Sequence, residues 1–106
     1  MRNDIIVGKL IGYTDKVLSY CEGISYEEFC KDSKLVEACV FNLSQMGELA
    51  NRVDDVFADA HPSIPWRLIY GLRNRIVHDY EGVNLQLIWE IIRDDLPGLR
   101  SELAKI

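Results

Sequence analysis

Residues 66–80 read Trp66-Arg67-Leu68-Ile69-Tyr70-Gly71-Leu72-Arg73-Asn74-Arg75-Ile76-Val77-His78-Asp79-Tyr80. On a helical wheel of about 100° per residue, Leu68, Leu72, Ile76 and Ile69 share an arc of about 100°, the width of a core-facing stripe. The spacing predicts a helix over about residues 65–78, with Pro65 in the first turn, where its missing N–H costs nothing. A second arc holds Arg73, Val77, Tyr70, Asn74 and His78 and is no ordinary solvated face. Asn74 and His78 are four residues apart and therefore neighbours, with Arg73 flanking them across Val77. Arginine offers a forked donor to phosphate oxygens. An imidazole exchanges protons near neutral pH. Such a set could serve a phosphodiester. Arg67, Arg73 and Arg75 against Asp79 alone make the segment basic. The same residues also have plainer readings. His78 could be a surface residue, Arg73 could pair with an acidic residue of another helix, and Tyr70 and Val77 could belong to the core.

On the N-terminal side, a helix is predicted over about residues 4–20. Asn3 or Asp4 can cap it, and Ile6, Leu10, Val17 and Cys21 recur along it at helical spacing. Gly23 ends it. Ser25-Tyr26-Glu27-Glu28 fits the Ser-x-x-Glu capping box and starts a short helix. A third span begins at Asp32 or Ser33, with Leu35, Cys39, Leu43, Met46, Leu49, Ala50 and Val53 as its stripe. It could continue through the acidic stretch Asp54, Asp55 and Asp59. Pro62 and Pro65 bound a connection in which His61 is a loop residue. On the C-terminal side Gly82 interrupts, and Asn84 caps a last helix through Leu85, Ile88, Trp89, Ile92 and Leu96. The tail from Leu99 to Ile106 is either a further helical turn or frayed. No segment alternates like a half-buried strand. Four substantial helices and one short one, joined by short loops, predict an all-α fold. Its expected form is a small antiparallel four-helix-type bundle, a single domain over residues 1–106.

Composition narrows the function. Twelve basic residues against 17 acidic ones give a net charge of −5, which argues against a general nucleic-acid coat and against sequence-specific DNA binding. A locally basic site is still compatible with that balance. No apolar run approaches the roughly 18–20 residues of a membrane span, and residues 1–10 lack the order of a signal peptide. A cytoplasmic protein is expected. Cys21, Cys30 and Cys39, nine residues apart, match neither a zinc spacing nor a disulfide framework and read as free buried thiols. No histidine partners the carboxylates at metal-ligand spacing, and no glycine-rich phosphate loop is present, so no metal or cofactor is assigned.

Arg73-Asn74-Arg75-Ile76-Val77-His78-Asp79-Tyr80 resembles the signature of the HepT-like family, a branch of the HEPN superfamily. That signature is an arginine, four residues, a histidine, one residue and a tyrosine. The likeness extends over nearly the whole chain, including Ser25–Phe29, Gly47-Glu48 in the central helix and Val83-Asn84 after the motif. It implies a helical bundle that forms a symmetric homodimer, with the motifs facing each other across a cleft. Tyr70 and Val77 would then pack near the partner, while Arg73, Asn74 and His78 would line the cleft. The implied activity is that of a metal-independent endoribonuclease toxin, acting on RNA such as transfer RNA. His78 would transfer the proton, Arg73 would stabilise phosphoryl charge, and Asn74 would orient the phosphate or His78. The implied partner is a nucleotidyltransferase antitoxin that adenylylates Tyr80. Two other functions compete: a non-catalytic binding or regulatory subunit of a nucleotidyltransferase complex, and a nucleotide-binding or purely structural helical dimer.

Overall fold

The computed structural model describes the backbone of residues 2–82 and 84–106, and the side chains of residues 2–76 and 84–106. Every regular element among the described residues is helical: α1 (Asn3–Tyr20), α2 (Tyr26–Lys31), α3 (Ser33–Ala50), α4 (Asp55–Ala60), α5 (Trp66–Gly82), α6 (Leu85–Glu90), a π-helical turn (Ile91–Asp95) and α7 (Leu96–Ala104). The last three run on from one another as one long, re-phased helix. None of the helices is long and apolar enough to cross a membrane, judged on the described residues.

Several starts follow from local chemistry. Ser25 and Glu28 form a complete capping box at α2, each side chain accepting from the other's backbone N–H at 3.1 Å. Asp32 caps α3 by accepting from the Leu35 N–H, and Asn84 caps α6 by accepting from the Leu87 N–H, both at 3.1 Å. The expected cap of α1 is not formed. Its N-cap position is Arg2, without a side-chain cap. The Asn3 amide instead donates to Asp54 Oδ2 at 2.8 Å, joining the start of α1 to the start of α4. That bond and the Phe57 N–H hold the Asp54 carboxyl below its ordinary pKa. The predicted continuation of α3 through the acidic stretch also fails. The chain turns after Ala50, and Asp54 caps the separate α4 by accepting from the Phe57 N–H at 2.8 Å.

The C-terminal tail is ordered helix, anchored by buried Leu99 and Leu103. Pro97 cannot donate to a carbonyl four residues back, and its ring would crowd that carbonyl. The helix widens just before it, and Leu96 N–H bonds the Ile91 carbonyl, the five-residue step of a π turn. This shift lets Ile88, Ile91, Ile92, Leu96 and Leu103 all face the core.

The long helices pack in the spatial order α5, α3, α1, α7, with α3 against both α5 and α1. Thr14 meets Met46 and Cys21 meets Cys39, so α1 and α3 run antiparallel. Ile6, Leu10, Val17, Phe29, Cys39, Leu43, Met46 and Ile76 are fully buried. Each large apolar side chain so buried contributes about 1.5–3 kcal/mol before the opposing chain entropy. The result is a flat body of 42 × 27 × 20 Å. Cys21 and Cys39 are free and buried, but Cys30 is only half-buried, because it follows Phe29 on the outer side of α2. One core assignment on α5 is corrected. Ile69, Leu72 and Ile76 are buried, whereas Leu68 is 64% exposed. The core direction of α5 is set by α3, and that leaves Leu68 on the rim of an open groove beside α7.

Candidate functional site

The placement of the unusual arc of α5 begins with a glycine. Gly47 lies where α3 packs tightly against α5. A Cβ there would stand 3.1 Å from the Arg73 backbone nitrogen, 3.1 Å from the Ile69 carbonyl oxygen and 3.2 Å from the Arg73 Cβ. Only the absence of a side chain lets the two backbones approach this far. The contact fixes the backbone of Arg73 itself.

The next residue of α3 fixes its side chain. Glu48 Oε1 takes an ion pair from Arg73 Nη1 at 2.7 Å. The guanidinium is still 60% exposed, so the pair stands at the surface with most of the fork open to solvent. Around it Gly47, Glu48, Asn51, Tyr70, Arg73 and Asn74 line a shallow recess of about 30 Å³. The structure thus brings together Arg73, Asn74 and Tyr70 of the expected set. It adds Glu48 as the acidic partner on another helix, the alternative that the sequence leaves open for Arg73. It also adds Asn51. Nothing in the local sequence marks Asn51, because it enters the site only through the docking of α3 on α5.

His78, Tyr80 and Val77 lie on α5, but the roles expected of them concern side chains outside the described residues. Arg75 belongs elsewhere: it lines the groove of about 420 Å³ that Leu68 borders between α5 and α7. His61, expected in a loop, follows α4 and packs its ring against Phe57, with centroids 4.5 Å apart and the planes tilted by 49°. Among the described residues no three histidine, cysteine or carboxylate side chains converge where a metal ion could be held.

Chemically, an arginine fork held by a carboxylate, beside an exposed amide, can bind an anion of phosphate type. Comparison with known proteins points the same way. Residues 10–106 match the family described as "Ribonuclease HepT-like". A protein of Caldanaerobacter subterraneus named "Putative RNase TTE0752" is 36% identical over 89% of this chain and 90% of its own length. "Putative RNase MJ1380" of Methanocaldococcus jannaschii is 30% identical over 82% of this chain and 80% of its own. "Probable ribonuclease HepT" of Thermococcus cleftensis is 31% identical over 78% of this chain and 76% of its own. No solved structure matches the chain.

Proposed function

The chain belongs to the ribonuclease HepT-like family, and on that premise we propose that it is a metal-independent endoribonuclease, the toxin of a toxin–antitoxin pair. The observation that carries this reading is the open guanidinium of Arg73, held by Glu48 beside Asn74 on one recess wall. In the proposed reaction the RNA 2′-hydroxyl attacks the adjacent phosphorus. The new P–O2′ bond forms as the P–O5′ bond breaks. His78 takes the 2′ proton or delivers one to the leaving 5′ oxygen. Arg73 stabilises the charge on the phosphoryl oxygens, and Asn74 orients the phosphate or His78. The products are a 2′,3′-cyclic phosphate and a 5′-hydroxyl.

The recess at Arg73 is small and shallow. In the proposed symmetric dimer a second copy across a two-fold axis would supply a facing wall and a second Arg73. Val77 is the proposed contact toward that copy. The proposed regulator is a nucleotidyltransferase antitoxin that places AMP on Tyr80, two residues from His78. The added phosphate and bulk would repel the RNA backbone from the cleft.

The test is incubation of the purified protein with end-labelled transfer RNA in excess chelator. Cleavage with cyclic-phosphate ends is expected, and it should vanish when the nucleotide 5′ to the cut is 2′-deoxy. Cleavage of the deoxy substrate, or rescue only by added metal, would overturn the mechanism. Failure of the folded protein to cleave any RNA would instead favour the partner-subunit reading.

Glu48→Gln separates binding from turnover. Removing one negative charge from the recess should lower the half-saturating RNA concentration. Loss of an exposed ion pair of about 0–1 kcal/mol should lower the limiting rate by about two- to five-fold, because Arg73 is no longer held in place. An unchanged limiting rate in single-turnover kinetics would show that Glu48 does not position Arg73.

A further inference from the structure

The recess at Arg73 does not end at Tyr70. Asn51 and Tyr70 also border a second, larger concavity of about 350 Å³, which continues toward the start of α5 past Trp66 and Arg67. The two concavities form one trough with Tyr70 at the waist.

The trough's α5 wall has a regular pattern. Arg67, Tyr70 and Arg73 are three residues apart, so they form one row on the helix surface. Six residues at 1.5 Å rise place the two arginines about 9 Å apart along the axis, with the phenol ring midway. Tyr70 is 45% exposed, although it is a large aromatic on a helix with a well-filled core face. Arg67 is exposed as well. Carboxylates in the trough come from the other side: Glu48 from α3 and Asp55 from α4. The α5 wall thus carries the two cations, Arg67 exposed and Arg73 sharing its fork with Glu48, and it is the wall that an anionic strand would follow.

Alternation of cation and exposed aromatic along a trough is the pattern by which proteins hold single-stranded nucleic acid. Bases stack on the ring and the backbone follows the charges. We propose that Arg67, Tyr70 and Asn51 form a nucleotide subsite of the RNA groove, adjoining the recess at Arg73. A base unstacked from its neighbours lies on the Tyr70 ring, and its flanking phosphates face Arg67 and Arg73. The Asn51 amide, at the junction, offers both a donor and an acceptor to the base edge. The subsite requires single-stranded RNA, because a base held in a duplex cannot lie on the ring. This assignment rests on the ribonuclease reading, and it moves Tyr70 from the expected dimer contact to the substrate.

The test is fluorescence anisotropy with a labelled single-stranded hexanucleotide whose 2′-oxygens are all methylated, so that it binds without being cut. Wild type, Tyr70→Ala, Tyr70→Phe and Arg67→Gln are compared, with native mass measured on each. Tyr70→Ala is expected to weaken binding about five-fold or more, the low end for a stacked base. Tyr70→Phe should stay within about two-fold, since the ring face is what stacks. Arg67→Gln should weaken binding and flatten its salt dependence, as expected when one phosphate contact is lost. All four should show the same oligomeric state. Wild-type affinity for Tyr70→Ala, an equal loss in Tyr70→Phe, or dissociation of a dimer in Tyr70→Ala would overturn the subsite. Cleavage of unmodified RNA by wild type is measured alongside. Tyr70-dependent binding without cleavage would sink the ribonuclease reading and leave the subsite standing. Cleavage with Tyr70-independent binding would do the reverse.

Discussion

Arg73→Ala is expected to slow RNA cleavage by about 10²- to 10³-fold, the usual cost of removing a preorganised donor to developing charge. The fold should survive the change. The side chain is 60% exposed, and its ion pair with Glu48 stands at the surface, where such pairs contribute about 0–1 kcal/mol. Thermal melting should therefore move little while turnover collapses. Lysine should not restore activity, because a point charge cannot reproduce the fork that binds Glu48 and a phosphate together. His78→Ala should cause a loss of about 10²- to 10⁴-fold, the contribution of a positioned proton donor or acceptor. Arg75→Ala is the internal control. Arg75 is an exposed arginine two residues along the same helix, but it lines the groove toward α7 instead of the recess. Its loss should leave cleavage within about two-fold, as is usual for a surface substitution. Measured kcat and kcat/KM for the variants, with melting curves for each, decide the matter. Equal losses at Arg73 and Arg75 would mean that charge alone matters and that the recess has no special role.

What could be read from the sequence divides along a physical line. Features closed within one turn of chain were legible. Ser25 with Glu28, Asp32 with Leu35 and Asn84 with Leu87 satisfy backbone donors three residues away, so residue type and spacing specify them. Features that depend on a second element were not. Asn3 looks like a cap for α1, but Asp54, far along the chain, takes its side chain. Asp54 itself caps α4, yet in sequence it sits inside an acidic stretch compatible with a longer α3. Leu68 has the period of the core stripe, but period does not fix phase. The packing of α5 on α3 decides which edge of the stripe is covered, and Leu68 lies on the open edge. The candidate site shows the same division. Arg73 and Asn74 stand out within their own helix. Asn51 and the pairing of Glu48 with Arg73 become visible only once α3 lies across α5. Gly47 stands out in the sequence only as part of the family likeness, and its packing role does not. A glycine inside a helix looks like a weakness until the neighbouring backbone is seen 3.1 Å away.

That close approach makes Gly47→Val the most damaging single substitution expected in the fold. The first added atom already stands 3.1 Å from two backbone atoms of α5, and neither can swing aside as a flexible side chain could. The branched methyls would drive α3 and α5 apart. Overpacking of this kind costs about 1–3 kcal/mol and sometimes more. At about 4 °C or more per kcal/mol for a domain of this size, the melting temperature should fall by about 10 °C. Gly47→Ala is more informative. It meets the same two backbone atoms, but it recovers about 1 kcal/mol of helix propensity. Its melting temperature should stay close to wild type, while α5 shifts by a few tenths of an ångström at Arg73. Because a displacement of about 1 Å can cost 10²-fold in a positioned site, a several-fold loss of cleavage is expected even at unchanged stability. Gly12→Ala supplies the contrast. Gly12 is also inside a helix, α1, but a Cβ there meets nothing within 4 Å. That change should stabilise by about 0.5–1 kcal/mol and leave cleavage alone. If Gly47→Val melts like wild type, α3 and α5 do not touch at this point. If Gly47→Ala cleaves like wild type, the crossing tolerates the shift and the glycine serves packing alone. Activity lost without stability, at Gly47 and not at Gly12, would show that this close contact between α3 and α5 exists to hold one arginine in place.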